Sequence, residues 1–122
     1  MAKFRFRKLL WLPAIIWGIA IIYLAVQPPP PQLPPFPLYD KLMHFGAFAL
    51  LSVLLSIPRY KYKRWVVVIW IPAIYGAAIE ILQAQMAFRE GDFFDWLADA
   101  LGSLTAYGFI ILYQKLRDNR KP

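Results

Sequence analysis

The chain has 122 residues, 60% of them hydrophobic and 17% aromatic, with a formal net charge of +7. A mean hydropathy of +0.46 is too apolar for an ordinary soluble domain, which is about half apolar, and the length fits one domain. No cysteine is present, which excludes disulfides and thiolate metal ligands.

The first predicted element follows a basic start, Lys3, Arg5, Arg7 and Lys8, and runs over Leu9–Val26. A spanning helix needs about 20 apolar residues, with a range of roughly 17–25. A basic start before an apolar run also describes a signal peptide. Here the run is long, and Gln27 and four prolines follow it instead of a small-residue cleavage site. It reads as an uncleaved first helix.

Next comes QPPPPQLPPFPL, residues 27–38, with seven prolines. Proline fixes φ and removes a donor, so the segment is expected to be extended. At about 3.1 Å per residue it reaches roughly 37 Å, enough to cross the mouth of a small bundle. A stiff spacer is the plainer reading, and a ligand for a proline-binding domain the less economical one.

The second run is Leu42–Ile57, which borrows Asp40 and Lys41 to reach spanning length. The third is Trp65–Ala84, and the fourth is Trp96–Tyr113, interrupted near its start by Asp99. Helices are expected at about 9–26, 40–57, 65–84 and 95–113. The connections at 58–64 and 85–95 are short, which implies antiparallel neighbours. Ala14 and Gly18, Gly46 and Ala49, Ala73 and Ala77, and Ala98 and Gly102 offer small faces for close backbone approach. Pro13 and Pro72 are expected to kink their helices, and other groups must then serve the freed carbonyls.

Charge orients these runs. Twelve of the 14 basic residues fall in three clusters: the N-terminus, residues 59–64 and residues 115–121. Only Lys41 and Arg89 lie on the other side. Positive residues favour the cytoplasm. The expected fold is therefore all-α, an integral membrane four-helix bundle with both termini cytoplasmic, in one domain over residues 1–122. Membrane lipids are its expected surroundings, and anionic inner-leaflet lipids suit the basic clusters. Nucleic-acid binding is not expected, because no aromatic-basic reading surface or motif accompanies the charge.

Six of the seven acidic residues then fall at or near the outer face. On the second helix Asp40 and His44 are four apart, and Lys41 and His44 three apart, so they share a face. His44 lies about 6 Å along the axis from Asp40. On the third helix Glu80 and Gln83 are three apart. On the fourth, Asp92, Asp95 and Asp99 follow i, i+3, i+7, one helical stripe, with Asp99 about 10 Å along from Asp92. A carboxylate facing lipid costs at least about 2.5–3.5 kcal/mol. The cheaper arrangement turns all three stripes inward, where Lys41, Arg89 and His44 can pair with the acids. Tyr39, Phe88, Phe93, Phe94 and Trp96 cluster at the same level, as an interfacial aromatic belt does.

Asp40-Lys41-x-x-His44-Phe45, Glu80-x-x-Gln83, Arg89, Asp95 and Gly102, in that order and spacing, resemble VanZ-like membrane proteins over nearly the whole chain. The chain departs from that pattern at Asp99, where many members carry Asn; the extra charge makes the site more acidic. The family is named for a protein associated with resistance to teicoplanin. The resemblance implies a bacterial inner-membrane protein with an envelope role, and it supplies no reaction.

Several functions fit these residues. One is an outward-facing site for an envelope precursor, a glycan or a glycopeptide antibiotic, lined by Asp40, Lys41, His44, Glu80, Gln83, Arg89, Asp95 and Asp99. In it Arg89 would contact an anion and Gln83 would position a ligand or water. Another is an intramembrane enzyme acting on a lipid-linked substrate, with Asp40 orienting His44 as base and Glu80 as acid. A metal-dependent variant would use His44, Glu80, Asp95 and Asp99, an oxygen-rich set with one imidazole. A small proton-coupled exporter would place its carboxylate nearer the midplane than Glu80. A helix-packing subunit needs fewer polar groups than this layer carries, since membrane polar pairs contribute only about 0.6–2 kcal/mol each.

Overall fold

The computed structural model describes residues 8–29, 38–58 and 63–120. Three expectations lie wholly or partly outside these residues: the N-terminal basic cluster except Lys8, the proline-rich loop between 30 and 37, and Arg59, Lys61 and Lys121.

Among the described residues four main helices form an all-α bundle, as expected: α1 (Leu12–Ala25), α2 (Tyr39–Leu55), α3 (Ile71–Gln83) and α4 (Phe93–Asp118). Helix α1 begins later than its apolar run. Pro13 lies in its first turn, where a missing N–H costs no intrahelical bond. Helix α4 is longer than expected at both ends. The Asp92 carboxylate accepts from Phe94 N–H at 2.8 Å and caps its start, and Lys115 and Arg117 in its last turn face the negative end of the helix dipole.

The third run is not one regular α-helix. Val66–Trp70 is π-helical, and α3 begins directly after it. Pro72 has no N–H to give the Val68 carbonyl four residues back. Ser52 of α2 donates its hydroxyl to that carbonyl at 2.9 Å, and Ser52, Val68 and Pro72 are all fully buried. The compensation expected for Pro72 is thus made by a neighbouring helix.

Helix α2 packs most extensively on α4, α3 packs on α4, and α1 leans on α2 and α3. Gly102 is what allows the first contact. A Cβ there would run into the Phe45 carbonyl and lie 3.2 Å from the Ala49 nitrogen, both on α2. At Gly18 and Gly46, also expected at packed faces, a Cβ would meet nothing within 4 Å. Aromatic side chains brace the remaining pairs through backbone carbonyls. Trp17 Nε1 donates to Ala47 (2.9 Å), Tyr75 Oη to Gly18 (2.6 Å) and Trp96 Nε1 to Ala73 (3.0 Å).

The bundle has an apolar core around Phe48, Leu51 and Ile79, but its exterior is also largely apolar and a layer of polar groups is buried inside it. Ile15, Ile16, Ile19, Leu24, Ile74, Ile81, Phe109 and Tyr113 are exposed, whereas Ser52, Glu80, Gln83, Asp95, Asp99 and Ser103 are buried. Buried polar groups are the informative exception in any fold. The segments Val66–Gln83 and Phe93–Asp118 are each long and apolar enough to cross a bilayer.

Candidate functional site

The inward stripe of α4 is built by helical periodicity. Asp95 and Asp99 are four apart and point to α2, with 6% and 0% of their surfaces exposed. The stripe continues to Ser103, whose hydroxyl donates to the Asp99 carbonyl at 3.0 Å. Helix α2 meets it with Lys41 and His44, and α3 with Glu80.

Lys41 bridges the first two acids. Its Nζ lies 2.9 Å from Asp92 Oδ2 and 2.8 Å from Asp95 Oδ1. Below it, His44 Nδ1 lies 2.9 Å from Asp99 Oδ1, and His44 Nε2 lies 3.8 Å from Asp95 Oδ2. The partner in closest contact with the imidazole is therefore Asp99, from the facing helix. Asp40, the expected partner on the same helix, is exposed at the mouth, although its carboxylate, His44 and Asp95 offer atoms within 4.8 Å of one another.

Asp92 ties three helices together. It caps α4, its Oδ2 meets Lys41 of α2, and its backbone N–H donates to Glu80 Oε2 of α3 at 2.8 Å. The Lys41 ammonium beside it, and then the Phe94 N–H, hold the Asp92 carboxyl below the usual carboxylate range.

Glu80 and Asp99 are each left with one oxygen to spare. Glu80 is 9% exposed, and its Oε1 is buried without a hydrogen-bond partner among the described residues; Asp99 Oδ2 is in the same state. Gly76, one turn before Glu80 on α3, makes room for the Asp99 carboxylate: a Cβ at Gly76 would lie 2.6 Å from Asp99 Oδ2. His44, Glu80 and Asp99 offer ligand atoms within 4.8 Å of one another.

Gln83 and Arg89 are turned elsewhere. Gln83 Nε2 donates to the Ala25 carbonyl at 3.1 Å, and Arg89 donates through Nε and Nη2 to the Gln27 carbonyl at 3.1 and 3.0 Å. The expectation that Arg89 pairs with the carboxylates is thus corrected: among the described residues its partner is the end of α1. The cause lies in the sequence. The last carbonyls of a helix have no intrahelical donor, and residues 28–31 are all proline and bring no N–H. Side chains from the third helix and its following loop supply the donors.

The aromatics sit at this same end. Phe93 contacts Phe94 and Trp96 at centroid distances of 6.0 and 5.5 Å, and Phe88, Phe93 and Phe94 are exposed. A groove of about 690 Å³ lies at the other end of the bundle, lined by Val53, Ile57, Phe109, Tyr113, Arg64 and Arg117. It contains none of the carboxylates.

Ser52, Gly76 and Ser103 were not singled out from sequence. Ser103 continues the Asp95–Asp99 spacing and Gly76 shares the Glu80 face, so helical periodicity could have found both. Nothing local marks Ser52. In chemical terms the cluster can hold an imidazole against a carboxylate, accept from hydroxyls and amines, and ligate a cation. The pattern that defines the VanZ/LLP1 family matches residues 4–114. No curated protein and no solved structure matches the chain.

Proposed function

Because the chain belongs to the VanZ/LLP1 family, we propose that it is a bacterial inner-membrane protein that binds an envelope component or a glycopeptide antibiotic. The site is the polar layer between α2, α3 and α4. In this reading both termini are cytoplasmic, since the basic clusters share one side, and the layer opens outward. The observation that carries the reading is convergence. Lys41 and His44, Glu80, and Asp95 and Asp99 come from three helices to one level of a bundle whose exterior is apolar. Ionisable groups inside a membrane are costly, and they mark functional sites by default. Carboxylates accept from the hydroxyls and amines of sugars and peptides, and Lys41 offers charge to an anionic headgroup. Gln83 and Arg89 act at the edge of this layer, where they hold the end of α1 to α3 and the loop after it.

The test is native mass spectrometry of the full chain, purified in mild detergent from bacteria. A co-purifying envelope component is expected on the wild type and is expected to be lost in His44→Ala and Glu80→Gln. Equal retention in all three proteins overturns the reading.

One observation favours a second reading, acid–base catalysis on a lipid-linked substrate. The contact between His44 Nδ1 and Asp99 Oδ1 orients the imidazole, as a general base requires. Turnover of such a substrate that survives in His44→Ala removes this alternative.

A further inference from the structure

We infer that His44, Glu80 and Asp99 form a site for a divalent transition-metal cation, of the manganese or zinc type, inside the layer to which ligand binding is assigned above. One side chain comes from each of α2, α3 and α4, and their ligand atoms lie within 4.8 Å of one another. Distance alone would not distinguish this from an ordinary polar cluster. The second observation is the state of the two carboxylates. Glu80 and Asp99 are at least nine-tenths buried, and each keeps one oxygen, Oε1 and Oδ2, with no hydrogen-bond partner among the described residues.

Glu80 Oε2 is already committed: Asp92 N–H holds it at 2.8 Å, an outer contact of the kind that orients a ligand at a metal site. Asp99 Oδ1 lies 2.9 Å from His44 Nδ1, and a cation bound at Nδ1 takes the place of the hydrogen between them. Gly76 leaves the space that Asp99 Oδ2 occupies. Two carboxylates balance the charge of one divalent cation, which removes the cost of burying them bare. One imidazole with two carboxylates suits manganese, iron or zinc better than calcium, whose ligands are all oxygens.

Asp40, His44 and Asp95 also come within 4.8 Å, but they are the poorer set. Asp40 is exposed, and Asp95 is already paired with Lys41 at 2.8 Å. The His44 side chain keeps 15% of its surface exposed, which leaves a way in from the mouth of the layer.

The test uses the full chain in lipid nanodiscs, prepared without chelator and then titrated with Mn²⁺ or Zn²⁺. About one equivalent per chain is expected. Glu80→Gln and Asp99→Asn are each expected to weaken binding at least about tenfold, while Glu90→Gln, at an exposed position in the adjoining loop, keeps it. Electron spin-echo spectroscopy of bound Mn²⁺ guards against misfolded variants. Nitrogen coupling is expected in the wild type and is expected to vanish in His44→Gln. Wild type that binds no more metal than Asp99→Asn overturns the proposal, and so does Mn²⁺ bound without nitrogen coupling. Infrared detection of protonated carboxyl groups that disappear in Asp99→Asn, with no metal uptake, would assign protons to the spare oxygens instead and also overturns it. Metal stoichiometry and nitrogen coupling are read independently of any co-purified component, whose mass is the readout for ligand binding, so the metal site and the binding function fail separately.

Discussion

Ser52 on α2 donates its hydroxyl to the carbonyl of Val68, 2.9 Å away, where Pro72 has no hydrogen to offer. Ser52→Ala leaves a buried carbonyl short of a donor. Such a loss costs about 1–3 kcal/mol in water-soluble proteins, but hydrogen bonds inside membrane bundles average only about 0.6. A loss of about 1 kcal/mol is expected, read from denaturation in detergent. Combined with Pro72→Ala, which restores the backbone donor, Ser52→Ala should cost much less. Equal cost in both backgrounds would disconnect the two residues.

Two glycines should respond with opposite signs. Gly102→Ala drives a Cβ into the Phe45 carbonyl and must part α2 from α4. Overpacking of this kind costs about 1–3 kcal/mol. Gly46→Ala meets nothing within 4 Å and gains helix propensity, up to about 1 kcal/mol. Thermal midpoints of both variants in the same detergent decide this.

Arg89 separates a clamp from an anion contact. Its Nε and Nη2 converge on one carbonyl, that of Gln27. A lysine keeps the charge but not the fork. Arg89→Lys is therefore expected to lower the thermal midpoint nearly as far as Arg89→Ala. Full stability in the lysine variant would show that charge alone matters there.

The capping carboxylate predicts a dependence on pH. Asp92 is held below its usual range, chiefly by Lys41. A group whose folded value is depressed contributes stability above its unfolded value of about 3.9, and loses it as pH falls through the lowered folded value. The gap in thermal midpoint between wild type and Asp92→Asn should be widest near neutral pH and should close in strong acid. A gap that widens on acidification contradicts the assignment.

Topology is open to a clean test because the chain has no cysteine. In intact cells stripped of any outer membrane, an impermeant maleimide should label Glu90→Cys and should label Arg120→Cys only after lysis. The opposite pattern would turn the carboxylate layer toward the cytoplasm.

Helix number and the inward turn of the acids were legible because both follow from periodicity within one element. Asp95 and Asp99 lie on the same face of α4 whatever surrounds it. Partner choice was less legible. Asp40 and His44 are neighbours along α2, yet Asp99 makes the short contact with the imidazole, because the rotation and register of α4 bring it there. Neither quantity is encoded in the spacing of either helix alone. Arg89 was misread for a related reason. Its charge suggested an acid, whereas the proline run after α1 had created a stronger local demand for donors. The π-helical stretch at Val66–Trp70 also escaped notice: five apolar residues carry no mark of it, and Pro72 signalled only that some departure was needed.

The end of α1 is completed by side chains 58 and 62 residues further along the chain. A ribosome adding about 5–20 residues per second needs several seconds to cover that distance. Throughout that interval the carbonyls of Ala25 and Gln27 lack their eventual protein donors and must rely on water or on other transient partners. Helix α1 can form early, but its C-terminal end is finished only once the third hydrophobic segment has followed it, which makes maturation of this small protein an ordered, late-closing process.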